Sequence, residues 1–236
     1  MKAIILAAGV SSRLYPLTLK NPKCLLELEP GKTIIEHQID VLQRCGIKNI
    51  LVVTGYLKDH IKNYLKDKVR YRDFDDFAKY NNMHTLYSIK DELNDDVVIL
   101  FSDVVFGEKV LRKCAESNED FSLLVHNKKV LSDTMRVKIK DGSIVDIGGH
   151  ILPEQGDGNF IGVGKFSKKG AELLIEKMER MIDDPKHDND YYTIPLVEVA
   201  KEHKVSFEFV EDEPWIEIDF LEHYNKAKDE IYPLVK

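Results

Sequence analysis

Cysteines and long apolar runs are what this sequence has little of. Its three cysteines, Cys24, Cys45 and Cys114, show no Cys-x-x-Cys spacing, which excludes a disulfide framework and a cysteine-rich zinc site. No stretch approaches the roughly twenty apolar residues of a membrane-spanning helix, and the first apolar run is shorter than a secretory signal. The net charge of −7 argues against general nucleic-acid binding, because such proteins are usually basic. We therefore expect a cytoplasmic protein that binds neither membranes nor nucleic acid.

Two glycine-rich phosphate-binding patterns are also absent. The Rossmann pattern Gly-x-Gly-x-x-Gly and the P-loop pattern Gly-x-x-x-x-Gly-Lys-Ser/Thr both need more glycines than the single Gly9 found here. Residues 3–8 nevertheless form an apolar run typical of a strand buried on both faces. The segment after it, residues 9–23, which we call the N-terminal loop, carries the hydroxyls of Ser11 and Ser12 and the cations Arg13 and Lys23. Backbone amides, hydroxyls and cations at the end of a buried strand predict an anion site for a triphosphate or pyrophosphate.

The order of strands and helices predicts the fold class. In the first half of the 236 residues, apolar strands alternate with amphipathic helices, which is typical of a parallel sheet with helices on both faces. The second half has shorter strands, with a hairpin signal at Asp141-Gly142. We predict an α/β fold with a doubly wound, mostly parallel, Rossmann-like sheet and a smaller β-rich part. No linker interrupts the chain, so we predict one domain over residues 1–236, with halves of about 1–120 and 121–236.

Two aspartates are candidates for holding a metal ion beside the expected triphosphate. Asp103 follows an apolar strand, at the end where ligands bind in parallel sheets. Asp219 lies in a segment whose alternation places it on one face with Trp215 and Glu217. Carboxylates and phosphate oxygens are the ligands that Mg²⁺ prefers, although either aspartate could instead cap a helix.

Residues 6–18 and the pair Pro22-Lys23 resemble the signature of the nucleotidyltransferases that make activated sugars and alcohols, Leu-Ala-Ala-Gly-x-Gly-Ser/Thr-Arg-Leu-x-Pro-Leu-Thr followed by Pro-Lys. The sequence departs from this signature at Ser11, where most members carry glycine. The resemblance implies a GT-A-like nucleotidyltransferase fold, with Mg²⁺ held jointly by Asp103 and Asp219. Chain length, the loop at residues 80–82 and the ending at residues 217–219 look closest to the bacterial choline-phosphate and phosphonate cytidylyltransferase branch.

The resemblance also implies a reaction and a nucleotide site. An acceptor oxygen attacks the α-phosphorus of CTP, with the catalytic residues Arg13 neutralising the β- and γ-phosphates and Lys23 the charge between acceptor and α-phosphate. In this reading residues 1–120 bind the nucleotide and residues 121–236 the acceptor. The expected nucleotide-binding residues are Leu6, Ala7, Ala8, Gly9, Ser11, Ser12, Arg13, Gly55, Tyr56, Asn82 and Thr85. For Asn82 and Thr85, helix capping is the alternative.

The acceptor is less well defined by the sequence. Aromatic rings can hold a cationic head group, although core packing explains such rings equally well. Arg136 and Lys138 could instead meet an acidic acceptor or lie on a strand surface. The expected acceptor-binding residues are Lys23, Tyr191, Tyr192, Trp215 and Glu217.

Three other functions stay open at this point. One is a sugar-1-phosphate uridylyl- or thymidylyltransferase; another is a catalytically inactive nucleotide-binding scaffold. The third is molybdopterin-type nucleotidyl transfer, which Ser11-Ser12-Arg13 favours, whereas Pro16-Leu17-Thr18 favours the sugar and alcohol branch. The expected partners are CTP and a small phosphorylated or phosphonylated alcohol, and a homodimer is left open.

Overall fold

The computed structural model describes residues 1–132 and 134–236. The strands are β1 Lys2–Ala7, β2 Glu27–Glu29, β3 Lys32–Thr33, β4 Ile50–Thr54, β5 Arg70–Asp73, β6 Val97–Phe101, β7 Val104–Phe106, β8 Phe121–His126, β9 Met135–Lys140, β10 Ser143–Gly148, β11 Gly158–Phe166, β12 Ser206–Val210 and β13 Trp215–Glu217. The α-helices are α1 Ile34–Arg44, α2 Lys58–Leu65, α3 Asn82–Tyr87, α4 Glu108–Ala115, α5 Lys168–Glu179, α6 Thr193–Ala200, α7 Leu221–Lys226 and α8 Tyr232–Val235. A π-helical stretch, Ala227–Ile231, joins the last two. Within these described residues, none of the helices combines the length and apolar character needed to cross a membrane.

The first half of the chain builds the parallel part of the central sheet, in the order β6-β1-β4-β5. Strand β1 lies between β4 and β6, and all six of its residues are buried. A strand enclosed on both edges and both faces needs an apolar side chain at nearly every position, which is why its sequence does not alternate. Its carboxyl end delivers the N-terminal loop to the same sheet edge as the ends of β4 and β6.

The second half extends the same sheet through the long strand β11. This strand pairs antiparallel with β6 near its C-terminal end, with β9 near its start, and with β8 along its other edge. Strand β10 then pairs with β9, and β12 runs parallel to β8. The α/β prediction, with a parallel sheet and a β-rich second part, is confirmed.

The helices cover both faces of the sheet, because alternate residues of each strand point to opposite sides. Ile4 and Leu6 pack into the core shared with α3, α5 and α6. Ala3, Ile5 and Ala7 pack into the core shared with α1, α2 and α4. The sheet is therefore doubly wound, as the sequence predicts.

Strand β13 returns the end of the chain to the first half. It pairs antiparallel with β7, with Glu217 opposite Val104 and Trp215 opposite Phe106. Strand β7 was not predicted from the sequence, because only three apolar residues separate Asp103 from Gly107. The pairing places the segment that carries Asp219 beside the segment that carries Asp103.

Helix α1 carries a histidine inside the core. Thr33 caps the helix by accepting a hydrogen bond from the Glu36 amide, and the helix ends before Gly46, whose φ is +81°. His37, only 2% exposed, makes a 2.8 Å hydrogen bond from Nε2 to the carbonyl of Phe106. Its ring meets the Tyr232 ring edge-on at 5.2 Å. Burial lowers the pKa of His37 from 6.5 to about 4, so the ring stays neutral at physiological pH.

We expect His37 to make the fold acid-sensitive. Because its pKa is lower in the folded chain, the unfolded chain binds the proton more tightly, and stability falls as the pH drops from 6.5 toward 4. The loss attributable to this group should be about 3 kcal/mol. Urea unfolding at pH 7 and pH 4.5 should show a smaller pH effect for His37→Gln than for the wild type. The exposed control His60→Gln should keep the full pH effect, and an identical pH effect in His37→Gln would contradict this assignment.

Candidate active site

Three carboxylates meet where β6, β7 and β13 come together. Asp103 lies in the turn between β6 and β7, and its carbonyl accepts a 3.0 Å hydrogen bond from the Ile218 amide. This bond and the strand pairing place Glu217 and Asp219 on either side of Ile218, facing Asp103. One carboxylate oxygen from each of Asp103, Glu217 and Asp219 lies within 4.8 Å of the others. The expected pair Asp103 and Asp219 is brought together, and Glu217 joins them.

Two cations of the N-terminal loop, Arg13 and Lys23, are paired with these carboxylates. The Lys23 ammonium lies 2.8 Å from Asp103 Oδ2 and 3.1 Å from Asp219 Oδ1. The Arg13 guanidinium lies 3.1 Å from Asp219 Oδ2. Lys23 is buried, whereas the Arg13 side chain is 55% exposed. Burial alone would lower the pKa of Lys23, but Asp103 and Asp219 outweigh it and raise the pKa above 10.5, so the ammonium stays charged.

Glu217 joins the two expected metal ligands in the carboxylate group and also lines the cavity. Its contact with an acceptor stays a prediction. Its withdrawal from water, with the nearby charges of Asp103 and Asp219, raises its pKa well above 4.5. Its place on one face with Asp219, which the alternation of residues 215–219 predicts, was the sequence signal that could have assigned it to the same group.

The carboxylate group fits a divalent cation. Asp103 Oδ1 is buried and has no hydrogen-bond partner among residues 1–132 and 134–236. A buried carboxylate oxygen without a donor is costly, and a bound cation would satisfy it. Oxygen ligands from two or three carboxylates are the set that Mg²⁺ or Mn²⁺ uses beside phosphates. Asp103, Asp219 and Glu217 could therefore hold such an ion.

A cavity of about 630 Å³ opens over these carboxylates. Its floor and one wall are formed by β1, the N-terminal loop and the carboxylate group. Its other wall is formed by residues 77–82, 85, 134–135, 148–150, 189–191 and 193–194. This volume suits a nucleotide together with a small second substrate. The predicted site residues that line it are Leu6, Ala7, Ala8, Gly9, Ser11, Arg13, Lys23, Asn82, Thr85, Asp103, Tyr191, Glu217 and Asp219.

Ser11 occupies a backbone position that favours glycine. Its φ is +55°, in the left-handed region, immediately before the short 3₁₀ turn Ser12–Leu14. The Thr18 hydroxyl donates a 2.9 Å hydrogen bond to the Ser11 carbonyl, which closes the loop. This left-handed conformation explains why most members of the resembled family carry glycine at the position of Ser11. Ser12 is not among the cavity-lining residues.

Gly55 and Tyr56 support the N-terminal loop from behind the cavity and do not line it. The Tyr56 amide donates a 3.0 Å hydrogen bond to the Ala8 carbonyl, and its hydroxyl donates to the Leu19 carbonyl at 2.9 Å. A Cβ atom at Gly55 would lie 2.8 Å from the Ala8 carbonyl oxygen and 2.9 Å from that of Phe74. Only glycine allows β4 to pass so close to the end of β1.

Asn82 and Thr85 lie on the cavity wall at the start of α3. Asn81 caps this helix, because its side chain accepts a hydrogen bond from the Asn82 amide. The Asn82 side-chain oxygen accepts a 2.8 Å hydrogen bond from the Tyr192 amide. The helix start is thereby tied to residues 188–192, the neighbouring segment of the same cavity wall.

The aromatic residues expected at the acceptor separate into different environments. Tyr191 lines the cavity and is 37% exposed. Tyr192 is fully buried in the core, so direct contact of its ring with an acceptor does not fit the structure. Trp215 lies outside the cavity lining and packs 5.4 Å from the His126 ring. The sequence could not show that the rings of Tyr192 and Trp215 lie outside the cavity lining, because that depends on how their segments pack.

Tyr80 is an aromatic residue of the cavity wall that was not among the expected site residues. Its ring stacks on His84 with 4.0 Å between centroids and a 12° interplanar angle. The Lys79 ammonium lies 4.4 Å from the same ring. Tyr80 directly precedes Asn81 and Asn82, in the loop that supports the resemblance, and this position could have indicated that it lines the site.

Arg136 does not face an acceptor. It is buried, and its guanidinium donates to the backbone carbonyls of Leu131, Ser132, Gly149 and Ile151. Lys138 donates to the Gln155 carbonyl. Arg136 therefore joins two loops next to the cavity wall, and its buried position fits neither of the alternatives given for it, contact with an acidic acceptor or a place on a strand surface.

Comparisons with known proteins agree with this geometry. Residues 3–141 match the family described as the MobA-like NTP transferase domain. The chain is 32% identical to the CTP:phosphoglutamine cytidylyltransferase of Campylobacter jejuni, over 94% of this chain and 96% of that protein. It is 31% identical to the choline-phosphate cytidylyltransferase of Streptococcus pneumoniae, over 97% of each. A solved structure of the CTP:phosphocholine cytidylyltransferase from Streptococcus pneumoniae superposes with a TM-score of 0.84 and 29% identity, covering 97% of both chains.

Two glycine substitutions should separate support of the N-terminal loop from contact with a ligand. Gly55→Ala should lower the free energy of unfolding by about 1–3 kcal/mol, since its methyl group meets two backbone oxygens. Gly9→Ala meets nothing within 4 Å and should leave stability within roughly 0.5 kcal/mol of the wild type, while weakening nucleotide binding in the cavity. Urea unfolding and nucleotide titration measure the two effects. Equal stability of the two variants would show that β4 does not brace the loop.

Proposed function

Because the chain belongs to the MobA-like NTP transferase family, we propose that it transfers a cytidylyl group from CTP to a small phosphorylated or phosphonylated alcohol. Family membership makes the chain a nucleotidyltransferase; the donor, the acceptor and the metal ion are the proposal. The observation that carries it is the group of Arg13, Lys23 and three carboxylates at the floor of one cavity. Opposite charges in this arrangement suit a metal-bound triphosphate.

CTP as the donor is supported by the relatives. Two curated proteins of at least 31% identity that match nearly the whole chain are named for cytidylyl transfer. The backbone of residues 6–9 and the side chains of Asn82 and Thr85 line the same cavity and would hold the nucleotide. Gly55 and Tyr56 would act indirectly, by fixing the position of Ala8.

Mg²⁺ is the proposed metal ion, held by Asp103 and Asp219, with Glu217 as a third ligand. A bound divalent cation would neutralise charge on the phosphates and help align them for displacement. Binding such an ion would also give Asp103 Oδ1 the partner that it lacks among the described residues.

The proposed reaction needs no protein nucleophile. An oxygen of the acceptor's phosphate or phosphonate forms a bond to the α-phosphorus, and the bond from that phosphorus to the bridging oxygen of the β-phosphate breaks. The attacking oxygen is already anionic near neutral pH, so no general base has to remove a proton. Arg13 would neutralise the departing pyrophosphate and Lys23 the charge between the acceptor and the α-phosphate.

The acceptor would lie against the wall formed by Tyr80, Tyr191 and residues 148–150. The Tyr80 ring already meets the Lys79 ammonium, 4.4 Å from its centre, and stacks on His84, whereas the Tyr191 ring is exposed and could meet a cation. A small phosphorylated alcohol with an amino or quaternary ammonium group therefore suits this end of the cavity.

Pyrophosphate release with Mg²⁺ tests the proposal directly. CTP, UTP, dTTP, ATP and GTP are each combined with phosphocholine, phosphoethanolamine, a phosphoamino acid, 2-aminoethylphosphonate or glucose-1-phosphate. We expect release with CTP and one of the first four acceptors. Release only with UTP or dTTP and glucose-1-phosphate would establish sugar nucleotidyl transfer instead. Nucleotide binding without release for any pair would favour the scaffold function.

We expect Asp103→Asn to lower kcat by on the order of a hundredfold to a thousandfold, because a neutral amide binds a divalent cation poorly. The matched control is Asp67→Asn, an exposed aspartate outside the cavity lining, which should keep wild-type turnover. Circular dichroism of both variants checks that the fold is retained. Near-wild-type turnover by Asp103→Asn in Mg²⁺ would remove Asp103 from the metal site.

A further inference from the structure

The ammonium of Lys23 is bonded to both aspartates that would bind a divalent cation. It lies 2.8 Å from Asp103 Oδ2 and 3.1 Å from Asp219 Oδ1, and Arg13 takes Asp219 Oδ2 at 3.1 Å. Both oxygens of Asp219 and one of Asp103 are therefore engaged by protein cations. Among the residues that the structure describes, Asp103 Oδ1 is the oxygen of these two side chains with no hydrogen-bond partner.

A divalent cation held by both Asp103 Oδ2 and Asp219 Oδ1 excludes the Lys23 ammonium. Metal–oxygen distances for Mg²⁺ are about 2.1 Å, so an ion between these two oxygens would take the position of the ammonium. The two positive charges would also repel each other at that separation. Because Lys23 and Arg13 engage both oxygens of Asp219, joint binding of an ion by the two aspartates requires one of these cations to move.

Lys23 needs another anion when it moves. It is buried, with 7% of its side chain exposed, and a buried ammonium without a partner is costly. Arg13, which is half exposed, can leave Asp219 for solvent more easily. A triphosphate in the cavity supplies the anion that both cations lack once the metal ion holds the carboxylates.

We propose that Lys23, assisted by Arg13, makes metal binding depend on the triphosphate by occupying the metal-binding oxygens until the nucleotide takes up its charge. This role is separate from neutralising the reacting phosphates, and it rests on the proposed metal site. The exchange is reciprocal: the metal ion releases the cations for the triphosphate, and the triphosphate releases the carboxylates for the metal ion. The protein alone should bind divalent cations weakly in spite of its three clustered carboxylates.

Mn²⁺ binding to the protein alone tests this role without any turnover. Free Mn²⁺ is measured by electron paramagnetic resonance during titration of the wild type, Lys23→Met and Lys20→Met. Methionine keeps the apolar stem of lysine and removes its charge. Lys20→Met is the matched control, an exposed lysine of the same loop. We expect Lys23→Met to bind Mn²⁺ roughly tenfold more tightly than the wild type, and Lys20→Met to bind like the wild type.

Two further variants keep the test decisive. Arg13→Met, whose side chain is largely exposed, should fold normally and tighten Mn²⁺ binding by about threefold, by releasing Asp219 Oδ2. The double variant Lys23→Met/Asp103→Asn should not bind Mn²⁺ more tightly than the wild type, and this result would locate the ion at the carboxylate group. Mn²⁺ affinity unchanged in both Lys23→Met and Arg13→Met, or a gain equalled by Lys20→Met, would overturn the proposal.

The outcome is distinguishable from that of the proposed function. Tighter Mn²⁺ binding by Lys23→Met supports the competition even if CTP is not the donor. If the wild type turns over CTP but Lys23→Met and Arg13→Met bind Mn²⁺ no more tightly than the wild type, the proposed function stands. The competition between Lys23 and the metal ion is then wrong.

Discussion

The structure depends on holding several carboxylates close together where little of their surface is exposed to solvent. Asp103, Glu217 and Asp219 come from segments more than a hundred positions apart, and their oxygens lie within 4.8 Å of one another. Such a group repels itself unless cations balance it, and the N-terminal loop supplies them through Lys23 and Arg13. The loop, the turn after β6 and the end of β13 are thus mutually dependent: each is held in place by charges that the others carry.

Much of this arrangement could be predicted from local signals in the sequence. The apolar run of β1 and the ordered residue types after it indicated a phosphate site, and the aspartate after β6 indicated a metal ligand. These predictions succeed because the carboxyl ends of neighbouring parallel strands meet at one sheet edge, whatever the details of packing. The capped helix α1 was equally visible, since Thr33 and Gly46 mark its ends in the sequence itself.

Features that depend on contacts distant in sequence could not be predicted. The pairing of β13 with β7 turns Glu217 toward Asp103 and leaves Trp215 beside His126, and no local pattern specifies that register. Tyr191 and Tyr192 are adjacent and chemically identical, yet the first lines the cavity and the second fills the core. Arg136 reads as a surface cation until its four backbone acceptors are known.

The two sides of the cavity are built in different ways, and this bears on how such a fold can serve different acceptors. The nucleotide side consists of buried strand ends and backbone, where Gly55 meets the Ala8 carbonyl so closely that little can change. The acceptor side consists of loops at residues 134–135, 148–150 and 189–194, joined by side-chain bonds such as those of Arg136 and Asn82. Loops tolerate substitution far better than buried strands. Nearly full-length relatives named for phosphoglutamine and for choline-phosphate agree with the proposal that the reaction stays fixed while the loops set the acceptor.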